Sequence, residues 1–137
     1  MIWRSVLVVA IAAIVVLFAY GRLGEVERPQ SGEALADVTV PQLSPVAVEG
    51  EALFNASCAQ CHGANAAGQD GIAPPLVHII YEPSHHADAA FLLAVKNGVR
   101  AHHWRFGDMP PVEGVSDEDA TKIVAYVREL QRANGIN

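Results

Sequence analysis

Two thiols and an imidazole are confined to five residues, Cys58-Ala59-Gln60-Cys61-His62, and nothing else limits the possible folds of this chain so strongly. In a helix these three side chains fall at i, i+3 and i+4, so all leave one face within about one turn. Such a face can grip a flat porphyrin, and C-x-x-C-H is the pattern on which a haem is covalently attached. The thiols would bond the two haem vinyl groups as thioethers, with His62 reaching the iron from one side. Other readings of a bare C-x-x-C fit less well. A four-ligand zinc site needs more donors at suitable spacing, and Cys58 and Cys61 are the only cysteines in the 137-residue chain. A thioredoxin-like motif expects a βαβ setting, whereas this sequence has little strand signal. A disulfide across two residues would close too small a loop to stabilise much.

Downstream, Gly107-Asp108-Met109-Pro110-Pro111 carries the only methionine besides the initiator Met1. A lone methionine is ordinarily core filler. Here it lies between Gly-Asp and Pro-Pro, in a stiff, non-helical loop suited to aiming a ligand. A His62/Met109 pair would close both axial positions of the iron and raise its reduction potential, which suits electron transfer. Five further histidines, at positions 78, 85, 86, 102 and 103, keep another ligand set open. His102 or His103 in place of Met109 would give bis-histidine ligation and a lower potential. The pairs His85-His86 and His102-His103 also read as solvent-exposed loop residues or adventitious metal binders. Tyr81, Trp104 and Arg105 have donors suited to haem propionates, the cationic Arg105 best of all. A solvated loop charge is the plain alternative for Arg105.

From about Gly50 to the C-terminus the chain resembles a class I, mono-haem c-type cytochrome. The likeness rests on the opening segment Gly50-Glu-Ala-Leu-Phe54-Asn-Ala-Ser, the Cys58–His62 motif and Gly71-Ile-Ala-Pro74-Pro75-Leu76, followed by Asn97-Gly98-Val99, Met109-Pro110 and a terminal helix carrying Tyr126. The resemblance implies one covalent haem c. It also implies that the Pro74 carbonyl accepts a hydrogen bond from the unligated ring nitrogen of His62, fixing the tautomer. It further implies a crossing of the first and last helices at Gly50, Phe54 and Tyr126.

Ninety or so residues make one small domain, near the lower limit of what a core of side chains alone can stabilise, and a buried haem would supply an apolar centre. Two cysteines and no others fit an exported protein whose thiols are consumed by cofactor attachment. Ahead of the domain, Ser5 to Tyr20 is almost wholly apolar and flanked by Trp3, Arg4 and Arg22. The run is slightly short of the ~20 residues of a typical membrane span, but flanking aromatic and basic residues can anchor it. A cleaved signal peptide is the rival reading, and an uncleaved anchor over 1–21 is preferred. Residues 22–47 then turn polar, with Pro29, Pro41 and Pro45. They read as a flexible linker, roughly 80 Å long if fully extended.

The expected architecture is therefore all-α: a single N-terminal transmembrane helix, a flexible linker, and a small cytochrome c fold over 48–137 wrapped around one haem. Helices are expected over 49–59, 88–96 and 117–132, the last capped by Ser116, with a shorter turn over 77–81. In the last helix Ala120, Ile123, Val124, Val127 and Leu130 form an inward apolar stripe. The chain carries a net charge of −6, and from Val46 onward six Lys/Arg face eleven Asp/Glu, which argues against nucleic acid as a partner. No additional base, nucleophile or second haem motif points to an enzyme or a small-molecule substrate. The expected function is that of a membrane-tethered electron carrier with its haem domain in the periplasm of a bacterial inner membrane. The resemblance implies redox partners such as a quinol-oxidising complex and a terminal oxidase. Two alternatives stay open: a permanent subunit through which electrons enter a respiratory complex, and a haem sensor or gas binder if Met109 is not a ligand.

Overall fold

The computed structural model describes residues 32–137. The expected anchor over 1–21 and the linker up to residue 31 lie outside the described residues. Among the described residues, no helix is long and apolar enough to cross a membrane.

Four α-helices make up the domain: α1 (Pro45–Ser57), α2 (Ala59–His62), α3 (Asp88–Asn97) and α4 (Asp117–Ala133), with 3-10 turns at Ala64–Ala66 and Ile79–Tyr81. The described residues contain no β-strand, only isolated bridges between Gln69 and Ala73 and between Val99 and Met109. The all-α expectation therefore holds for this part of the chain.

Helix α1 begins four residues before the expected Glu49. Ser44 accepts a bond from the Ala47 N–H, and Pro45 occupies the first helical turn, where its fixed φ is favourable and its missing N–H costs nothing. The proline read as linker is thus a helix start. Helix α4 starts where expected, through a capping box in which Ser116 Oγ accepts from the Asp119 N–H and the Asp119 carboxylate accepts from the Ser116 N–H. Asp117, Glu118 and Asp119 oppose the helix dipole in the first turn.

Helices α1 and α4 cross closely because Gly50 has no side chain. A Cβ there would lie 2.0 Å from the Lys122 carbonyl oxygen. Beside this contact Phe54 and Tyr126 pack with ring centroids 5.6 Å apart, both fully buried. The expected stripe on α4 is buried as a whole, and Ala47, Phe54, Val77, Ile123, Tyr126, Val127, Leu130 and Ile136 form one core cluster.

The segment expected to be free linker is, from Gly32 onward, bonded to the domain. Leu35 and Ala36 N–H both donate to the Ala67 carbonyl at 3.0 Å, and Asp70 N–H donates to the Glu33 carbonyl at 2.9 Å. Thr39 and Asn134 exchange two bonds, each 2.9 Å. Ser44 donates through its N–H and Oγ to the Glu129 carboxylate at 3.0 and 2.6 Å. Val38 and Leu43 pack against the core. Polar composition and prolines suggested a loose tether, but these contacts come from residues up to 95 positions away, which local reading does not see.

Candidate functional site

Helix α1 delivers the chain into α2, so Cys58 caps one helix and opens the next while Cys61 and His62 follow on a single turn. Gln69 holds that turn from outside: its side-chain amide donates to the Gln60 carbonyl at 2.8 Å and to those of Cys61 and Ala59 at 3.1 and 3.3 Å. The Gln60 and Cys61 carbonyls are ones that so short a helix leaves without internal partners, whereas the Ala59 carbonyl also accepts from the Gly63 N–H at 3.0 Å. Gly63 and Gly68 let the following loop double back; a Cβ at Gly68, where φ is +75°, would sit 2.5 Å from Pro75 N. The return brings Pro74 against His62.

His62 Nδ1 lies 2.9 Å from the Pro74 carbonyl oxygen. A carbonyl only accepts, so the proton resides on Nδ1 and Nε2 keeps its lone pair. Nε2 has no hydrogen-bond partner among the described residues, which leaves it available to a metal. Burial pushes the imidazole below its ordinary range, partly offset by the bond to Pro74, and this favours the neutral, ligating form. Burial, with Cys61 alongside, raises the Cys58 thiol to about 11.

These side chains open onto a cavity of about 510 Å³, within the range of cofactor sites, lined largely by apolar residues. Cys58, Cys61, His62, Pro74, Tyr81, Trp104 and Met109 all border it. Met109 comes from a separate loop whose base is closed by paired bonds: Val99 N–H to the Met109 carbonyl and Met109 N–H to the Val99 carbonyl, both 2.9 Å. Asp108 accepts from the Ala101 N–H at 2.8 Å, tying the same loop across. A Cβ at Gly98, whose φ is +73°, would meet the Met109 carbonyl at 2.4 Å, so this register needs glycine.

Trp104 Nε1 is the one buried side-chain polar atom without a hydrogen-bond partner among the described residues. Its neighbours include His78, edge-on at 5.1 Å, and Phe106, stacked at 5.8 Å. An orphaned indole N–H costs free energy unless an acceptor meets it. Burial raises the Tyr81 hydroxyl, the adjacent indole pulling the other way, so Tyr81 stays a protonated donor beside the cavity. A carboxylate arriving with a bound group would satisfy both. The thiols, the oriented imidazole, the thioether, the apolar walls and the orphaned donor together fit a haem.

The structure brings together every expected site residue except one. Arg105 is exposed and does not border the cavity; the loop turns its neighbours Trp104 and Phe106 inward instead. His102 and His103, the rival iron ligands, border the cavity but are exposed, and His102 Nδ1 donates to the Arg100 carbonyl at 2.8 Å. Desolvation, then the neighbouring His102, His86 and His85, hold His103 below the usual imidazole range. Besides Gln69, two residues of α4 that support the site went unnoticed in the sequence. Arg128 of α4 is buried and donates to the Tyr81 carbonyl at 2.7 Å, to the His86 carbonyl, and to Asp88 at 2.7 Å. Gln131, one turn on, donates to the Leu76 and Tyr81 carbonyls at 2.8 and 3.1 Å. Together they pin the segment that forms one wall of the cavity. Their only sequence signal was the interruption of an apolar stripe by polar residues at helical spacing.

A small all-α domain with two thiols, a tautomer-fixed imidazole and a thioether around one apolar cavity defines a mono-haem c-type electron-transfer protein. The family model for cytochrome c matches residues 47–131, and the chain belongs to the cytochrome c family. It carries covalently bound haem c and transfers electrons through it to and from redox protein partners. No curated protein matches the chain.

Proposed function

We propose that the chain is a membrane-tethered carrier of single electrons, not an enzyme, with its haem domain on the periplasmic side of a bacterial inner membrane. It takes electrons from a quinol-oxidising complex and passes them to a terminal oxidase. The observation that carries the electron-carrier reading is the double pinning of Met109 at the base of its loop, in the cavity that His62 borders.

Haem bound here supplies the redox couple, its iron alternating between ferric and ferrous. The protein's own groups hold it and set its environment. Cys58 and Cys61 anchor it covalently, His62 offers Nε2 because Pro74 keeps the proton on Nδ1, and Met109 offers its thioether. A thioether/imidazole pair favours the reduced state and leaves no position for substrate. Apolar walls exclude water, while Trp104 and Tyr81 present donors to carboxylates. A sensor or gas binder needs a displaceable ligand, and paired backbone bonds on Met109 oppose its release.

The apolar run at Ser5–Tyr20 supports the tether. Because the domain bonds to the chain from Gly32, residues 22–31 are all that separates it from the apolar run, a span of at most about 35 Å at full extension. The haem then works close to the membrane.

The ferric protein is expected to show the weak sulfur-to-iron band at the red edge of its spectrum, and Met109→Ala is expected to abolish it. Absence of that band in the wild type would overturn the ligand pair. Intact mass of the mature protein decides retention of residues 1–21. A partner complex that dissolves at moderate salt supports the carrier, and one that persists at high salt makes the chain a permanent subunit.

A further inference from the structure

The two histidine pairs converge on one patch at the rim of the haem cavity. His85 and His86 end the turn that follows Tyr81, while His102 and His103 come from the loop leading to Trp104. One ring nitrogen from each of His85, His86 and His103 lies within 4.8 Å of those of the other two. His85 Nε2 and His103 Nε2 are 3.4 Å apart. Two imidazole nitrogens bound to one tetrahedral zinc at ~2.0–2.1 Å are separated by about 3.3–3.4 Å, so this edge of a coordination shell is already formed.

The third imidazole is oriented for the same task. His86 Nδ1 donates to the Ile80 carbonyl at 2.7 Å, which places its proton on Nδ1 and leaves Nε2 with a lone pair. A backbone carbonyl bond on the far nitrogen is the usual support of a ligating histidine. The Ile80 carbonyl belongs to the 3-10 turn at Ile79–Tyr81, which Arg128 and Gln131 hold through the Tyr81 carbonyl. His86 is thus fixed to the core, while His85 and His103 are exposed and open to an arriving ion. No carboxylate pairs with any of the four imidazoles among the described residues, so no ion pair accounts for their meeting.

We infer that His85, His86 and His103 form a second metal site, separate from the haem, that takes one first-row divalent cation such as zinc or copper(II), with the fourth position left to water. Three neutral imidazoles suit these ions over magnesium or calcium, which prefer oxygen. The ion bridges two segments far apart in sequence. One ends in α3, and the other leads to Met109. Its occupancy therefore staples together two sides of the cavity mouth, where His86 and His103 both contribute to the lining.

The test is calorimetric titration of zinc into the untagged, haem-loaded full chain, with thermal unfolding recorded alongside. One zinc per chain is expected with a dissociation constant in the low micromolar range or below, and a zinc-dependent rise in Tm that a chelator reverses. His85→Ala and His103→Ala should each weaken zinc binding at least tenfold and remove the Tm shift, and His85→Ala, which does not touch the haem cavity, should leave the haem spectrum unchanged as the sign of an intact fold. His102→Ala should bind zinc as the wild type does. Zinc bound equally well by the His85→Ala chain, or only at millimolar concentration by the wild type, would overturn the site and leave the imidazole contact as a simple hydrogen bond. A loss of binding seen only with His102→Ala would overturn the ligand set. None of these outcomes depends on the identity of the electron partners.

Discussion

Gly50 leaves no room for any other side chain, and it illustrates how one residue fixes a whole interface. With the Lys122 carbonyl 2.0 Å from where a Cβ would sit, and that carbonyl held in α4, Gly50→Ala must push the helices apart. Overpacking of this kind costs about 1–3 kcal/mol, of which the better helix propensity of alanine returns about 1. A net loss of up to about 2 kcal/mol is expected, read as a fall in the urea midpoint of the haem-loaded protein. The residues of the cofactor site were largely legible in the sequence. Cys58, Cys61 and His62 announce themselves through spacing on one turn, and Met109 through its rigid flanks. Pro74 was assigned through family resemblance, and the 2.9 Å bond to His62 Nδ1 bears it out. Gln69 was not legible, because an amide that serves three carbonyls eight to ten residues back looks like any polar loop residue until the loop is folded.

Among the elements, α3 and α4 were placed to within a residue, since stop signals at Asn97-Gly98 and a capping box at Ser116 act locally. The buried polar pair on α4 escaped because its partners are backbone carbonyls of an irregular segment about 40–55 residues earlier. Arg128→Met removes the guanidinium that sits 4.8 Å over the Phe91 ring and leaves the Tyr81 and His86 carbonyls short of a donor. The expected cost is about 3 kcal/mol, from the loss of charge-assisted bonds at a buried position, measurable by denaturation. Faster amide exchange over residues 78–88 should accompany it. The junction of α1 with α4 adds a pH dependence. Ser44 holds the Glu129 carboxyl below its ordinary 4.5, through its hydroxyl and then its N–H. A depressed carboxyl contributes stability that is complete above pH 4.5 and fades as the pH falls through the lower, folded value. The Tm gap between wild type and Glu129→Gln should accordingly be steady near neutrality and close once the medium is more acidic than pH 4.5.

For the whole molecule, the decisive departure from the sequence reading is the strap of residues 32–44. Pro41 and the acidic Glu33 and Asp37 there imitate a free linker, but Val38 and Leu43 find the core and Ser44-Pro45 opens a helix. Removing residues 32–43 should lower stability by about 3 kcal/mol, given two partly buried aliphatic side chains at ~1.5 kcal/mol each. A linker would be removed without effect on Tm, so the two readings separate in one melt. The order of attachments along the strap also has a mechanical meaning. Tension arriving from the N-terminal side meets Gly32 on Asp70 first, then Leu35 and Ala36 on Ala67, then Thr39 on Asn134, and last Ser44 on Glu129. These surface bonds can peel one after another before load reaches α1 and, through it, the cysteines. The strap works as strain relief on a cable: a pull on the chain ahead of Gly32 is absorbed at the sheath, and the soldered joint at Cys58 and Cys61 does not feel it.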